Sequence, residues 1–261
     1  MTTLHWPCET LWERLEPLCP GLSVEAVAEV DSTSTRLLER ARAGDAAPCL
    51  MVAEHQRAGR GRQGRPWASQ AGASLTFSLG LPYAPRDWSG LSLAVGVALA
   101  EALPAGIGLK WPNDLWLLDG AGRGRKLGGI LIETTGLQGN PAGRYALVGV
   151  GLNIRPVDAP DARNRVGALQ ELDATLTAPD VLQRVALPLL AALLRFESEG
   201  FDPFADRFAM LDVLRGVPVR TSHEDPLQGI GAGVDRKGAL LLQTAAGVQA
   251  IESGEVSVRP C

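Results

Sequence analysis

The sequence predicts an α+β protein in two parts, a mixed α and β domain followed by a small β-barrel. Apolar residues recur on one helical face in residues 88–103 and 181–196, which predicts two helices packed on a core. Short β-rich runs lie around these helices, bounded by glycine, proline or charged residues. After Leu214 short strands alternate with turn-forming stretches, so we expect domains over residues 1–213 and 214–261.

A shorter helix is predicted just after the polar run Asp31–Ser34, whose sequence is DSTS. Leu37, Leu38 and Ala41 would share one face of that helix. Gly44 follows them, and glycine is common just past a helix C-terminus. The polar run should therefore lie at a helix N-terminus, where serine and threonine side chains bind free backbone amides.

Local signals place the remaining elements. In the helix over residues 181–196, Asp180 followed by Gln183 resembles a capping box, and Pro188 predicts a kink. The strands of the first domain are expected at residues 50–54, 74–79, 129–134 and 146–153. Those of the barrel are expected in VPVRTS, LQGIGAGV, GALLLQT and VQAIES, separated by the turns HEDP, DRKG, AAG and SG.

Composition and charge restrict the class of protein. Of 261 residues, 46% are hydrophobic and 21% are charged, which is typical of a globular chain. The net charge of −4 argues against the broad basic surface that non-specific nucleic-acid or membrane binding needs. The first residues lack a signal-peptide pattern, and the longest apolar stretches are too short to span a bilayer. We therefore expect a cytoplasmic protein that binds neither DNA nor membranes.

The four cysteines, Cys8, Cys19, Cys49 and Cys261, fall in no CxxC or Cys/His ligand spacing. A chain of this length does not need disulfides to fold, so we expect four reduced thiols. We assign no metal-ligating residue from the sequence.

The most informative stretch is EHQRAGRGRQGRPW, residues 54–67. Its glycines satisfy the GxGxxG spacing of dinucleotide-binding loops and part of the P-loop spacing, but both of those loops open a helix. Here Pro66 and the alternating SLTFSLGL predict a return to a strand, so neither motif is favoured. Glycines and arginines interleave along the segment, at Gly59, Arg60, Gly61, Arg62, Gly64 and Arg65.

This interleaving favours a site for a polyanion. Glycine lets the backbone approach a ligand closely, and guanidinium groups donate paired hydrogen bonds to phosphate and carboxylate oxygens. Trp67 could supply a flat face for a nucleobase, although a buried core tryptophan is nearly as simple an interpretation. The alternative for the whole loop is a flexible, arginine-rich surface turn.

Two lysine motifs follow the loop. KWPND, residues 110–114, precedes an apolar run, and RKLGGILIE, residues 125–133, comes after a glycine-rich turn, which predicts a hairpin that displays Lys126. The glycines beyond Lys126 would leave bare backbone beside its ammonium group, as a cleft requires. A solvated lysine at the start of a strand is the alternative. GVGLN, residues 149–153, predicts a further strand edge against which a ligand could lie.

In this order, DSTS, EHQRAGRGRQGRPW, KWPND, RKLGGILIE and GVGLN resemble the biotin protein ligases over roughly residues 30–155. Residues 214–261 are similar to the small SH3-like barrel that ends members of this family. The resemblance implies a mixed sheet flanked by helices, related in architecture to the class II aminoacyl-tRNA synthetases. The blocks depart mildly from the family pattern at Gly128, where alanine is common, and at Pro66.

The resemblance also implies which residues bind biotin. Polar side chains would hydrogen-bond the ureido group of its head. Loop residues would lie along its carboxylate, and glycines of two strands would line the pocket. These expected biotin-binding residues are Ser32, Thr33, Ser34, Gln56, Arg60, Gly61, Arg62, Lys126, Gly129 and Gly149.

Further roles concern the nucleotide and the chemistry. The expected nucleotide-binding residues are Arg62, Arg65, Trp67 and Asn153. The expected catalytic residues are Lys126, Arg60 and Arg62, because these cations would stabilise charge that gathers on phosphoryl oxygens. Asp114 and Asn153 could position substrate or magnesium, but each could equally be structural.

The implied activity is that of an ATP-dependent ligase. Biotin and MgATP would give biotinyl-5′-AMP, and biotin would then pass to a lysine of a biotin carboxyl carrier protein domain. Family members often pair as homodimers through the central sheet. Two alternatives stay open: a lipoate or octanoate protein ligase, and a biotin-binding sensor without turnover. Only 30 residues precede Asp31, so we do not expect the winged helix with which some members bind operator DNA.

Overall fold

The structure, a computed structural model, describes residues 4–119, 124–156, 166–222, 226–252 and 258–260. Its helices are α1 (Cys8–Leu15), α2 (Thr33–Arg42), α3 (Leu91–Ala102), α4 (Ala178–Glu199) and α5 (Asp202–Leu211). The first seven strands are β1 (Ser23–Val30), β2 (Cys49–Gln56), β3 (Ser74–Pro82), β4 (Ile107–Lys110), β5 (Asp114–Leu118), β6 (Gly124–Leu137) and β7 (Asn140–Asn153). The last five are β8 (Pro218–Thr221), β9 (Gln228–Val234), β10 (Leu240–Thr244), β11 (Gly247–Ile251) and β12 (Val258–Pro260).

The first seven strands form one mixed sheet in the order β1-β2-β3-β7-β6-β5-β4. Strands β1 and β2 are parallel, since α2 crosses over between them, and the other neighbours are antiparallel. Helices α3 and α4 pack against one face of this sheet, and α2 packs against the other. The remaining strands form an antiparallel sheet in the order β11-β10-β9-β8-β12. The expected mixed sheet flanked by helices, followed by a small β domain, is confirmed.

Strand β3 shows how the two faces of the large sheet differ. Leu75 and Phe77 belong to the main hydrophobic core, together with side chains of α3 and α4. The alternate residues Ser74, Thr76 and Ser78 are also buried, although they are polar. Because side chains of a strand alternate between its faces, the sheet buries a row of hydroxyl groups on the side of α2.

The predicted short helix is α2. Ser32 is its N-cap, and the Ser32 hydroxyl accepts a hydrogen bond from the Thr35 amide at 3.4 Å. Leu37, Leu38 and Ala41 are buried in a second, smaller core between α2 and the sheet. The polar run therefore lies at a helix N-terminus, as predicted.

The capping box predicted at Asp180 and Gln183 is wrong, because α4 begins one turn earlier. Thr177 is the N-cap, and its hydroxyl accepts a hydrogen bond from the Asp180 amide at 3.4 Å. The Asp180 carboxylate in turn accepts one from the Thr177 amide at 3.1 Å. Asp180 is thus the third helical residue of the capping box and not its N-cap. The helix continues through Pro188 and ends at Glu199.

The predicted strands lie within β2, β3, β6 and β7, and those of the barrel correspond to β8 to β11. Helices α1 and α5 were not predicted; α1 buries only Leu11 and Leu15, and α5 begins shortly after the end of α4. The expected turns around residues 223–225 and 253–254 lie in part or wholly outside the described residues. Helix α5 ends at Leu211 and β8 begins at Pro218, and the boundary near residue 213 stays a prediction.

Two further expectations concern thiols and membranes. Cys8, Cys19 and Cys49 are free thiols, and Cys261 lies outside the described residues. In the described ranges, no helix combines the length and the apolar character needed to cross a bilayer.

Thr177→Ala should lower the free energy of unfolding by about 1 kcal/mol, because α4 loses the side chain that caps its N-terminus. Urea titration followed by circular dichroism measures the change. Gln183→Ala is the matched control and should move the midpoint little, since Gln183 takes no part in the box. Equal losses in the two variants would contradict this assignment of the cap.

Candidate active site

The polar side of the large sheet gathers most of the residues that the sequence singled out. The start of α2, the loop after β2, the turn between β4 and β5, and strands β3, β6 and β7 contribute to it. Three structural features build this site: a buried hydroxyl cluster, a loop of glycines and arginines, and a group of lysines around one carboxylate.

The hydroxyl cluster consists of Thr33, Ser34, Gln56 and Ser78, all of them buried. The Gln56 side-chain carbonyl accepts hydrogen bonds from the Thr33 amide at 2.7 Å and the Thr33 hydroxyl at 3.0 Å. The Ser78 hydroxyl lies 2.7 Å from that of Thr33 and 3.0 Å from that of Ser34. Because hydroxyl hydrogens rotate, this cluster can both donate to and accept from a buried polar ligand. Ser32, expected beside them, has its hydroxyl on the α2 cap instead.

Glycine is required at one position beside the hydroxyl cluster. A Cβ atom at Gly149 would lie 2.6 Å from the Ser34 hydroxyl oxygen, closer than real contacts allow. The Ser34 hydroxyl can therefore lie this close to β7 only because residue 149 has no side chain. At Gly129 a Cβ atom would meet Lys126 Nζ at 3.6 Å, an ordinary contact. Of the two glycines expected to line the pocket, only Gly149 is so close to a neighbouring side chain that a Cβ atom would not fit.

The loop Gly59–Trp67 turns back on itself and enters no α-helix. The Gly61 amide donates to the Arg65 carbonyl at 2.7 Å, and the Trp67 amide donates to the Gly59 carbonyl at 2.8 Å. The dinucleotide-loop and P-loop interpretations are thus excluded, as predicted. The Trp67 ring packs on β7, where a Cβ atom at Gly151 would collide with it.

Arg62 is the loop arginine that points into the site. Its Nη1 lies 3.5 Å from the Asn113 side-chain oxygen, in the turn between β4 and β5. Burial lowers the pKa of the Arg62 guanidinium, and nearby Asp114 offsets part of that effect. A partly desolvated guanidinium binds phosphate or carboxylate more strongly than an exposed one.

The other two arginines of the loop bind other side chains. Arg60 is exposed and forms an ion pair with Glu133 on β6, at 3.3 Å. Arg65 is exposed and donates to the Gln63 side-chain oxygen at 2.7 Å. Each of these two guanidinium groups is therefore bound by a side chain other than Asp114.

Lys110, Asp114 and Lys126 form the lysine–carboxylate cluster. Lys126 Nζ donates to Asp114 Oδ1 at 2.6 Å, and Lys110 Nζ lies 3.9 Å from Asp114 Oδ2. Lys110 and Asp114 are nearly buried, whereas the Lys126 side chain is 30% exposed. The Lys126 ammonium can therefore bind an anionic ligand while Asp114 holds it in place. A freely solvated Lys126 is excluded.

Asn153 supports this cluster through the backbone. Its side-chain amide nitrogen donates to the Gly167 carbonyl at 3.1 Å and lies 3.5 Å from the Lys126 carbonyl oxygen. Asn153 is buried at the end of β7. The side chain therefore fixes the main chain of Lys126, which makes a positioning role its simplest interpretation.

Sequence reasoning did not single out Ser78, Lys110 or Asn113 as functional. The signal for Ser78 was the alternation of hydroxyl and apolar residues in SLTFSL, which predicts a polar row on one face of β3. Lys110 is one of three lysines in the chain, a scarcity that makes a nearly buried one notable. Within the described ranges, no group of three or more His, Cys, Asp or Glu side chains could hold a metal ion.

Family models match both parts of the chain. The model of the biotin/lipoate A/B protein ligase family matches residues 27–153, and that of the biotin protein ligase C-terminal domain matches residues 215–259. The bifunctional ligase/repressor BirA of Salmonella typhimurium is 38% identical over 257 residues, covering 95% of this chain and 78% of that protein. The biotin–[acetyl-CoA-carboxylase] ligase of Mycobacterium tuberculosis is 33% identical over 248 residues, covering 89% of this chain and 88% of that protein.

Solved structures agree with these relatives. The biotin protein ligase of Aquifex aeolicus in complex with biotin and ATP is similar with a TM-score of 0.76 and 29% identity, covering 91% of this chain and 99% of that chain. Sequence, domain order and fold therefore lead to one conclusion. This chain belongs to the biotin protein ligase family.

Proposed function

We propose that this chain forms biotinyl-5′-AMP from biotin and ATP and then transfers biotin to a lysine of a biotin carboxyl carrier protein domain. The names of its relatives and the biotin and ATP bound to the Aquifex aeolicus enzyme support this activity. The observation that carries the proposal is the placement of the hydroxyl cluster and the lysine–carboxylate cluster on one side of one sheet.

Strand register supports the spacing of the two clusters. Ser78 pairs with Gly149, which pairs with Leu131 on β6. Gly129, beside Lys126 Nζ, lies two residues along β6 from that row, a displacement of about 7 Å along the strand. One small molecule with a polar head and a carboxylate tail can therefore contact both clusters.

Biotin has the required chemistry, a ureido group at one end and a carboxylate at the other. We assign the ureido group to the hydroxyl cluster, where buried groups can match its donors and acceptor. Ser32 contributes by holding the start of α2. The carboxylate would lie toward Arg62 and Lys126, beside the backbone of Gly61 and Gly129. Arg60, which is paired with Glu133, would reach it only after leaving that ion pair.

In the first step a biotin carboxylate oxygen attacks the α-phosphorus of ATP. A new oxygen–phosphorus bond forms, the bond to the bridging pyrophosphate oxygen breaks, and pyrophosphate leaves. Negative charge gathers on the phosphoryl oxygens, where Lys126 and Arg62 would stabilise it. Asp114 orients the Lys126 ammonium before substrate arrives. Preorganisation of this kind reduces the reorganisation that the reaction itself must accomplish.

We assign the nucleotide to the adjoining end of the loop. Trp67 is fixed on β7 by its contact with Gly151 and offers a rigid wall for the nucleoside. Arg65 is exposed, and its guanidinium would turn from Gln63 toward the phosphates. Asn153 would act indirectly, by holding the backbone of Lys126.

Mg²⁺ would enter as MgATP, as part of the substrate. Among the residues that the structure describes there is no cluster of three or more metal-ligating side chains, and Asp114 already faces two lysines. The phosphates of ATP would therefore supply the protein-bound ion with many of its ligands, as Mg²⁺ sites commonly do.

In the second step the amino group of the carrier lysine attacks the acyl carbon of the mixed anhydride. An amide bond forms, the bond from that carbon to the phosphate oxygen breaks, and AMP leaves. The carrier domain must bring its lysine to the exposed side of Lys126. Burial of the anhydride until then would protect it from water.

Other expectations accompany this activity as proposals. Asp114 on β5 pairs with Gly129 on β6, and β6 continues to Leu137 without a β5 partner. This unpaired edge of β6 could pair with a second copy of the chain. Absence of DNA binding rests on the acidic net charge of −4. The cytoplasmic location and the division of the chain near residue 213 stay predictions.

Biotin-dependent exchange of labelled pyrophosphate into ATP tests the proposal, and Lys126→Ala should reduce it roughly 10²- to 10³-fold. The variant removes a cation at the reacting phosphate but no core packing, so circular dichroism should show an intact fold. Lys237→Ala, at an exposed lysine of the barrel, is the control and should keep wild-type exchange.

The same assay separates the alternatives. A lipoate or octanoate ligase would require a different acid for exchange, and a sensor would give no exchange with any acid. Either result for the wild-type chain would overturn the proposal, and undiminished exchange by Lys126→Ala would overturn the role of that lysine.

Gly149→Ala should weaken biotin binding at least about tenfold, because the new methyl group displaces Ser34 from the hydroxyl cluster, at a cost typical of a lost buried hydrogen bond. Isothermal titration calorimetry with biotin measures the dissociation constant. Gly136→Ala in the same β6–β7 hairpin is the matched control, since Gly136 is exposed and its neighbours leave room for a Cβ atom. Equal affinities for all three proteins would place biotin elsewhere.

A further inference from the structure

Leu109 and Trp111, the residues before and after Lys110, are both hydrogen-bonded to the C-terminal part of the molecule. The Val213 amide donates to the Leu109 carbonyl at 3.0 Å. The Trp111 indole Nε1 donates to the Gly238 carbonyl in the barrel, also at 3.0 Å. Trp111 is completely buried. The end of β4 is therefore held between the linker that follows α5 and one turn of the barrel.

That barrel turn, residues 235–239, has a fixed conformation. The Asp235 carboxylate accepts hydrogen bonds from the Lys237 and Ala239 amides at 2.8 and 2.9 Å. Gly238 has a φ of +82°, which few residues other than glycine adopt. A Cβ atom there would lie 2.7 Å from the Gly90 Cα atom at the start of α3. The Gly238 carbonyl is thus a hydrogen-bond acceptor in a fixed position, in contact with the catalytic domain.

The segment that Trp111 anchors carries polar groups of the site. Asn113, two residues on, contacts Arg62 at 3.5 Å and donates to the Ile130 carbonyl at 2.7 Å. Asp114, three residues on, holds Lys126 at 2.6 Å. A small displacement of Trp111 would therefore move the partners of both cations assigned to phosphate stabilisation.

We propose that the barrel turn at residues 235–239 positions the β4–β5 turn through Trp111, and that Trp111 is a positioning residue for adenylation. This inference rests on the proposed function. Trp111 touches neither substrate in this arrangement and acts through Asn113 and Asp114. The barrel thereby contributes to the first half-reaction without supplying a group to the reacting atoms.

The test is Trp111→Phe, which keeps an aromatic side chain and removes the N–H donor. The turnover number for biotin-dependent pyrophosphate exchange should fall at least about 10-fold, the effect expected from one lost buried hydrogen bond near a geometry-sensitive site. Turnover is expressed per biotin-binding site counted by calorimetry, so that unfolded protein does not enter the rate. The dissociation constant of biotin should rise by a smaller factor than turnover falls, because the hydroxyl cluster assigned to the biotin head lies on other elements.

Trp6→Phe is the matched control. Trp6 is buried, and among the described residues its indole nitrogen has no hydrogen-bond partner. The control loses a similar part of a buried ring, so it can lose stability, but it should keep wild-type turnover per site. Arg236→Ala is a second control, since it breaks only the exposed pair of the same turn with Asp202.

Gly238→Ala changes the barrel side of the same hydrogen bond and should also lower turnover by a larger factor than it raises the dissociation constant of biotin. If Trp111→Phe does not fold, Gly238→Ala tests the inference in its place. Wild-type turnover per site in either folded variant would overturn the inference while leaving the proposed function intact. Absence of exchange in the wild-type chain would instead overturn the proposed function, and this inference with it.

Discussion

The ion pair between Lys126 and Asp114 is the interaction around which the site is organised. A lysine side chain is long and flexible, and in water its ammonium group samples many positions. Here one carboxylate fixes it at 2.6 Å, and a second lysine, Lys110, faces the same carboxylate at 3.9 Å. The shared carboxylate keeps the two ammonium groups close together. An anion such as a phosphate can then bind the oriented Lys126 ammonium.

The fold maintains this arrangement through backbone contacts that involve several elements. Antiparallel pairing of β5 with β6 sets Asp114 opposite Gly129, close to Lys126. Asn153 fixes the main chain of Lys126 from β7, while the barrel holds Trp111 at the end of β4. We assign biotin recognition to a different feature, the buried hydroxyl row on the side of β3 that faces α2. One sheet thus places a neutral polar cluster and a cationic cluster on the same side, about the length of one small molecule apart.

Much of the architecture could be predicted from the sequence, because α2 and the strands β3 and β7 have clear periodicity and clear ends. The family resemblance also indicated Lys126 and the loop. The partners of the charged groups could not be predicted. Asp114 meets Lys126 only because the hairpin has one register, with an irregularity between Leu115 and Trp116. The direction of Arg60, toward Glu133 on another strand, likewise depends on tertiary structure.

The most direct test of this account is a double-mutant cycle between Asp114→Asn and Lys126→Met, measured as the single-turnover rate of biotinyl-AMP formation. If Asp114 acts by orienting Lys126, each substitution slows the reaction, and the double variant is little slower than the slower single variant. If the two losses instead multiply, the carboxylate and the ammonium group act independently. That outcome would contradict the central role given to their ion pair.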